Sequence, residues 1–197
     1  FEHCFKIAYI ILKFSLILKM KQKKKLNKNK GILFWITGLS GSGKSSIAKK
    51  IWPKIKKFYG PTILINGDNM RKIFNLNKYD KKSRLENAIN FSKFSEYITN
   101  QRINVIFANI GMFHDVRTRN RLNIDNYIEI YIETELKQII KKGKKKIYTK
   151  YKSNIVGKDI APELPRKPNI KIVNNFKKTI DQISIEILKN IAKIIKI

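Results

Sequence analysis

An α/β fold built on a parallel sheet of five strands, with helices on both faces, is predicted from three observations. Short apolar runs recur along the chain, segments of helical period separate them, and a glycine-rich loop joins the first run to the first helix. Strands of this kind need crossovers, which run right-handed. Ligands then gather at the carboxyl ends of the strands.

Each element has its own signal. Ile32-Leu33-Phe34-Trp35-Ile36 is apolar throughout, as a strand buried on both faces must be. Residues 46–52 turn helical after the glycine loop. Gly60 and Pro61 mark the turn into a second strand, Ile63-Leu64-Ile65, which ends in Asn66-Gly67-Asp68. Residues 83–100 have helical period, with Leu85, Ala88, Ile89, Phe91, Phe94, Ser95 and Ile98 on one side. Residues 103–108 form the third strand and residues 114–123 the next helix. Residues 127–132 form the fourth strand, followed by a short helix over residues 135–142. Ile170-Lys171-Ile172-Val173 is a weaker fifth strand. The stripe Ile180, Ile183, Ile187, Leu188, Ile191 and Ile195 is a helix face that covers the sheet. Trp35 and Trp52 are read as core.

The loop at residues 38–45 fits the phosphate-binding pattern G-x-x-x-x-G-K-[ST] without a mismatch, between a strand and a helix as that motif requires. Its glycines let successive backbone N–H groups point at phosphates, and the helix N-terminus adds partial positive charge. Gly38, Leu39, Ser40, Gly41, Ser42, Gly43, Lys44, Ser45 and Ser46 are therefore the candidates for binding ATP. Lys44 is placed to reach the β- and γ-phosphates, and Ser45 to hold Mg²⁺. The fold class is that of the P-loop nucleoside triphosphatases. Asp68 ends the second strand near the γ-phosphate position, where a carboxylate orients Mg²⁺ through water or accepts a hydroxyl proton. Lys44 and Asp68 are the catalytic candidates. Arg71 offers a planar fork to an anionic acceptor. Arg84 and Asn87 lie about one helical turn apart and face the same way. Phe74 is placed to stack on a base or to pack in the core.

Composition narrows the partners. A chain of 197 residues, 43% hydrophobic and 11% aromatic, holds one α/β domain with a sizeable core. The net charge of +29 comes mostly from lysine spread along the chain. Lys, Ile and Asn have AT-rich codons, so an AT-rich genome produces this bias without a polyanionic partner. The lysines are read as a solvated surface that steers anionic nucleotides, with nucleic acid set aside as a partner. The lone cysteine, Cys4, excludes an intramolecular disulfide, and His3 and His114 have no metal-ligand spacing. A reducing cytoplasm fits. Residues 1–28 read as a basic and apolar tail ahead of a kinase domain at residues 29–197. Residues 1–19 are open between upstream translation, a fragment start, and a membrane-associating tail. Residues 141–168 are basic and punctuated by Gly143, Gly157, Pro162, Pro165 and Pro168, the pattern of a lid beside a phosphate site.

The sequence resembles the adenylylsulfate kinase family. The resemblance rests on residues 34–45, on Asn66-Gly67-Asp68-Asn69-Met70-Arg71, and on Ser83-Arg84-Leu85-Glu86-Asn87. Lys145-Lys146-Ile147-Tyr148, Val156-Gly157-Lys158-Asp159 and Pro162-Glu163-Leu164-Pro165 continue it, so that it covers about residues 31–174. It implies transfer of the ATP γ-phosphate to the 3′-hydroxyl of adenosine 5′-phosphosulfate, with Asp68 assisting the hydroxyl. It implies that Arg71, Arg84 and Asn87 bind the sulfonucleotide, that Phe74 lies near its adenine, and that Lys145 reaches in from the lid.

Three departures are read as falling in the acceptor site and the lid. Asn66 stands where the family usually has Asp, residues 110–115 replace a Ser-Pro-Tyr-Arg block, and residues 142–148 replace Arg-Asp-Pro-Lys-Gly-Leu-Tyr in a slightly shortened lid. A kinase for another nucleotide acceptor, such as cytidine diphosphoramidate, is the alternative within the class. A basic P-loop protein that binds nucleic acid or a membrane without turnover is the alternative outside it. A homodimer is left open.

Overall fold

The computed structural model describes residues 26–142 and 154–195. The expectations for residues 1–19 and for Lys145 lie outside the described residues.

Strand β1 (Ile32–Thr37) runs through the middle of the sheet and is buried along its whole length. It pairs in parallel with β3 (Asn104–Ala108) on one side and β4 (Asn126–Glu133) on the other. Strands β2 (Thr62–Asn66) and β5 (Ile170–Val173) close the two edges, giving the order β2-β3-β1-β4-β5, parallel throughout. The edge positions explain the weaker patterns of β2 and β5. In β5 only Ile170 and Ile172 are buried, while Lys171 and Val173 face out.

Alternation along β1 builds a core on each face. Ile32, Phe34 and Ile36 join Ile47, Ile51 and Ile55 of helix α1 (Lys44–Tyr59). Ile183, Ile187 and Ile191 complete that face. They belong to the C-terminal helix, α6 (Ile180–Ile195), which packs across α1. Leu33 and Trp35 point the other way, towards Phe91 and Ile98 of α3 (Lys81–Asn100) and Val116 of α4 (His114–Asn123). There Trp35 stacks on Phe107 at 5.0 Å, and Phe91 stacks on Phe107 at 5.4 Å. Helix α5 (Leu136–Lys141) follows β4. Ahead of β1, Leu26 packs against the first core, and the Asn27 side chain donates to Asp125 at 3.0 Å.

Three expectations need correction. Gly67 and Asp68, read as the end of the second strand, instead open helix α2 (Gly67–Ile73), because the Asn66 side chain caps it by accepting from the Asp68 N–H at 2.9 Å. Phe94 is 41% exposed, and the inner stripe of α3 runs through Ser92 instead. Trp52 is only partly buried, with its indole donating to the Thr62 carbonyl at 2.9 Å.

Candidate active site

The carboxyl ends of β1, β2 and β3 meet at the phosphate-binding loop. Gly38, Gly41 and Gly43 all have positive φ. At Gly38 a side chain would also collide, since a Cβ there would stand 2.5 Å from the Ile132 carbonyl. Lys44 is buried, and its Nζ donates to the Leu39 carbonyl at 2.6 Å. The loop is braced from β5. Asn174, itself buried, donates to the Ser42 carbonyl at 3.0 Å.

Asn66 ties the loop to the second strand. Its Nδ2 donates to Ser45 Oγ at 2.6 Å while its Oδ1 accepts from the Asp68 N–H. One side chain thus fixes the relative placement of Ser45 and Asp68. These two are the donors that fit Mg²⁺, which binds through substrate phosphates, waters and one or two protein oxygens. Among the described residues no group of three His, Cys, Asp or Glu could hold a metal ion alone.

Two cavities flank Asp68. The first, about 460 Å³, is lined by Ser40, Gly41, Gly43, Lys44, Ser45 and Ser46, and opens towards Phe176 and Thr179 ahead of α6. The second, about 500 Å³, is lined by Arg71, Arg84 and Asn87 with the apolar floor Ala88, Phe91 and Phe113. Ser40, Asp68, Asn109 and Ile110 line both. The structure therefore brings every described candidate from the sequence to these two walls except four. Gly38, Leu39 and Ser42 lie beneath the loop surface, with Ser42 fully buried. Phe74 is 56% exposed and belongs to neither wall.

Tyr79 occupies the aromatic position in the second cavity that the sequence assigned to Phe74. Arg71 sits over its ring at 4.2 Å and Arg84 at 5.2 Å. Arg71 Nη2 donates to the Lys78 carbonyl at 2.5 Å. Arg84 donates to the Tyr79 and Asn154 carbonyls, at 2.6 and 2.8 Å. Partial burial, and then the neighbouring Arg71, lower the Arg84 pKa from its usual value. Two cations crowded round one ring make a site that favours an anion.

The far wall of the second cavity comes from the segment read as a lid. Its part over residues 143–153 lies outside the described residues, but part of residues 154–168 packs against the site. Val156, Ile160 and Pro162 line the cavity, and Ile155 and Val156 are buried. Glu163 clasps this wall to the sheet. Its N–H donates to the Met112 carbonyl at 3.1 Å, and its carboxylate accepts from the His114 N–H at 2.5 Å. The Glu163 carbonyl accepts from Arg117. Arg117 in turn faces Glu129 of β4, with Nε 3.6 Å from Oε1, and Arg121 pairs with the same carboxylate. Burial pushes the Glu129 pKa up against the pull of Arg121 and Arg117.

The sequence reading assigned no role to Asn109, Tyr79, Asn174, Glu163 or Arg117. Asn109 and Asn174 directly follow strands β3 and β5, so the carboxyl-end rule had the signal for both. The Arg117–Glu129 pair joins a helix to a strand and has no local spacing to betray it.

This fold and these paired cavities define a P-loop kinase, an enzyme class that transfers phosphate to an alcohol. The chain belongs to the adenylylsulfate kinase family, whose profile, described as adenylylsulphate kinase, matches residues 30–173. It is 33% identical over 169 residues to a cytidine diphosphoramidate kinase of Campylobacter jejuni, covering 84% of this chain and 99% of that one. It is 32% identical over 163 residues to an adenylyl-sulfate kinase of Clostridium acetobutylicum, covering 79% and 80%. Among solved structures, the Mycobacterium tuberculosis APS kinase CysC in complex with AMPPNP and APS shares the fold. Its TM-score is 0.73 at 24% identity, over 82% of this chain and 98% of that one. Among the described residues no helix is long and apolar enough to cross a membrane.

Proposed function

We propose that this chain transfers the γ-phosphoryl group of ATP to a ribose hydroxyl of an anionic nucleotide, and that the acceptor is cytidine diphosphoramidate. The observation that carries the reaction is the pair of cavities sharing Asp68. The loop cavity suits the triphosphate, with Lys44 following the phosphoryl group and backbone N–H groups neutralising charge. The second cavity suits the acceptor, with Arg71 and Arg84 on its anionic part, Tyr79 or Phe91 against its base, and Asn87 at a base edge. Asp68 accepts the hydroxyl proton as the new P–O bond forms. Mg²⁺, held through Ser45 and by Asp68 through water, supplies charge neutralisation when bound.

Two observations support the cytidine acceptor. The likeness to the cytidine diphosphoramidate kinase runs over 99% of that protein's length at 33% identity. The departures from the family pattern at residues 110–115 also fall on the acceptor wall, where Ile110, Gly111, Met112 and Phe113 line the cavity. The second reading, adenosine 5′-phosphosulfate, is supported by Arg71, Arg84 and Asn87 standing together on that same wall. ATP consumption with each acceptor tests both readings. A kcat/KM at least about tenfold higher for cytidine diphosphoramidate, a difference of about 1.4 kcal/mol, is expected. The reverse ratio assigns the sulfonucleotide. Lys44→Ala should abolish turnover with either acceptor while leaving the fold intact, and unchanged activity in that variant would overturn the kinase site itself.

A further inference from the structure

Asn109 sits where the two cavities join and has no role in the reading above. It is nine-tenths buried and lines both walls. Neither its amide nitrogen nor its amide oxygen has a hydrogen-bond partner among the described residues. Buried amides are almost always bonded, so an amide with both ends unmet needs an explanation. Packing alone does not supply one, because a leucine would fill a similar volume without burying a polar group.

The backbone round Asn109 is shaped to hold it there. A Cβ at Gly111 would stand 2.0 Å from Asn109 Oδ1, and one at Gly67 would stand 2.9 Å from Asn109 Cβ. Gly111 also has φ +36°. Two backbone segments thus press on this side chain from either side, and the positive φ at Gly111 and the approach of Gly67 to Asn109 Cβ both favour glycine there. Its own N–H donates to the Ile36 carbonyl at 3.1 Å, which fixes the Asn109 backbone to the end of β1. Gly67 immediately precedes Asp68, so the amide is held next to the proposed proton acceptor.

We propose that Asn109 is a substrate-binding residue that contacts both nucleotides at once. Its Nδ2 donates to an oxygen of the transferring phosphoryl group. Its Oδ1 accepts from a sugar hydroxyl of the acceptor other than the one that Asp68 deprotonates. The two missing partners of the amide are then one donor and one acceptor, one from each substrate. This rests on the two-nucleotide reading of the cavities. It adds a residue that senses whether both are filled.

The test compares wild type with Asn109→Leu and Asn109→Asp, using ATP with cytidine diphosphoramidate and with adenosine 5′-phosphosulfate. Loss of one preorganised donor at a phosphoryl group predicts a kcat/KM lower by about 10²-fold in Asn109→Leu. Asn109→Asp should lose at least as much, since a carboxylate faces phosphate oxygens. The unfolding temperature without ligand should be unchanged or higher in Asn109→Leu, and its rise on adding ATP should be smaller than in wild type. A structural role predicts the opposite pattern, a lower unfolding temperature with undiminished kcat/KM, and that result overturns the proposal. If wild type turns over neither acceptor, the acceptor assignment fails. The ATP-induced shift still decides for Asn109, because equal shifts in wild type and Asn109→Leu reject the donor contact.

Discussion

At the residue scale, Glu129 and Arg117 set the boldest expectation. Both are almost wholly buried, at 0% and 2% exposure, so neither charge is compensated by water. Removing one partner strands the other. Glu129→Leu should therefore destabilise the protein by about 3–5 kcal/mol in denaturant unfolding, far above a surface substitution. A change below about 1 kcal/mol would mean that Arg117 finds other compensation. His114 gives a pH test at the same clasp. Its Nδ1 lies 2.8 Å from Arg117 Nη2, and partial burial together with Arg117 lowers its pKa from the usual 6.5. A base whose folded pKa is depressed resists protonation in the native state. Its contribution is thus fully present above pH 6.5 and is lost as the pH falls through the lower, folded value. Between pH 7 and pH 5, unfolding temperatures should fall more steeply for wild type than for His114→Gln. Parallel curves would remove His114 from the acid sensitivity.

At the scale of elements, α1 carries a visible cost. Pro53 is exposed inside this helix, where it removes the hydrogen bond to Lys49 and crowds its carbonyl. The penalty relative to alanine is about 3 kcal/mol, offset by the roughly 0.4–1 kcal/mol by which proline restricts the unfolded chain. Pro53→Ala should accordingly stabilise the protein by about 2 kcal/mol in chemical denaturation, and a loss of stability would show that the fixed φ of proline at this position outweighs the missing hydrogen bond. Elements with one dominant signal were legible in the sequence. Residues 114–123 and the strand Ile170–Val173 have the bounds that the spacing predicts, and β1 differs by one residue. Helix α2 was not legible, because seven residues show too few turns of period and its start depends on a side-chain cap from Asn66. The phosphate loop was legible because its contacts are local and backbone-made. The acceptor wall was legible only in Arg71, Arg84 and Asn87, because Tyr79 and Asn109 reach it through the sheet order and its far side is held by a Glu163 clasp between residues 49 positions apart. Phe74 was misplaced for a related reason. Composition announces an aromatic but not the turn that aims it, and here the turn after α2 carries Tyr79 to the cavity instead.

At the scale of the whole molecule, the shared wall has a stereochemical consequence. Ser40, Asp68, Asn109 and Ile110 belong to both cavities, so the hydroxyl that attacks and the oxygen that leaves can lie on opposite sides of one phosphorus atom. A relay through the protein would need a nucleophile that takes the group from one side and delivers it to the other. Neither wall offers a histidine or a cysteine for that step. Direct displacement passes the group once and turns its three remaining oxygens inside out. ATP made chiral at the γ-phosphorus with sulfur and oxygen isotopes should thus give a product of inverted configuration. Retention would require two displacements and a phosphorylated side chain, for which Asp68 would be the first residue to examine.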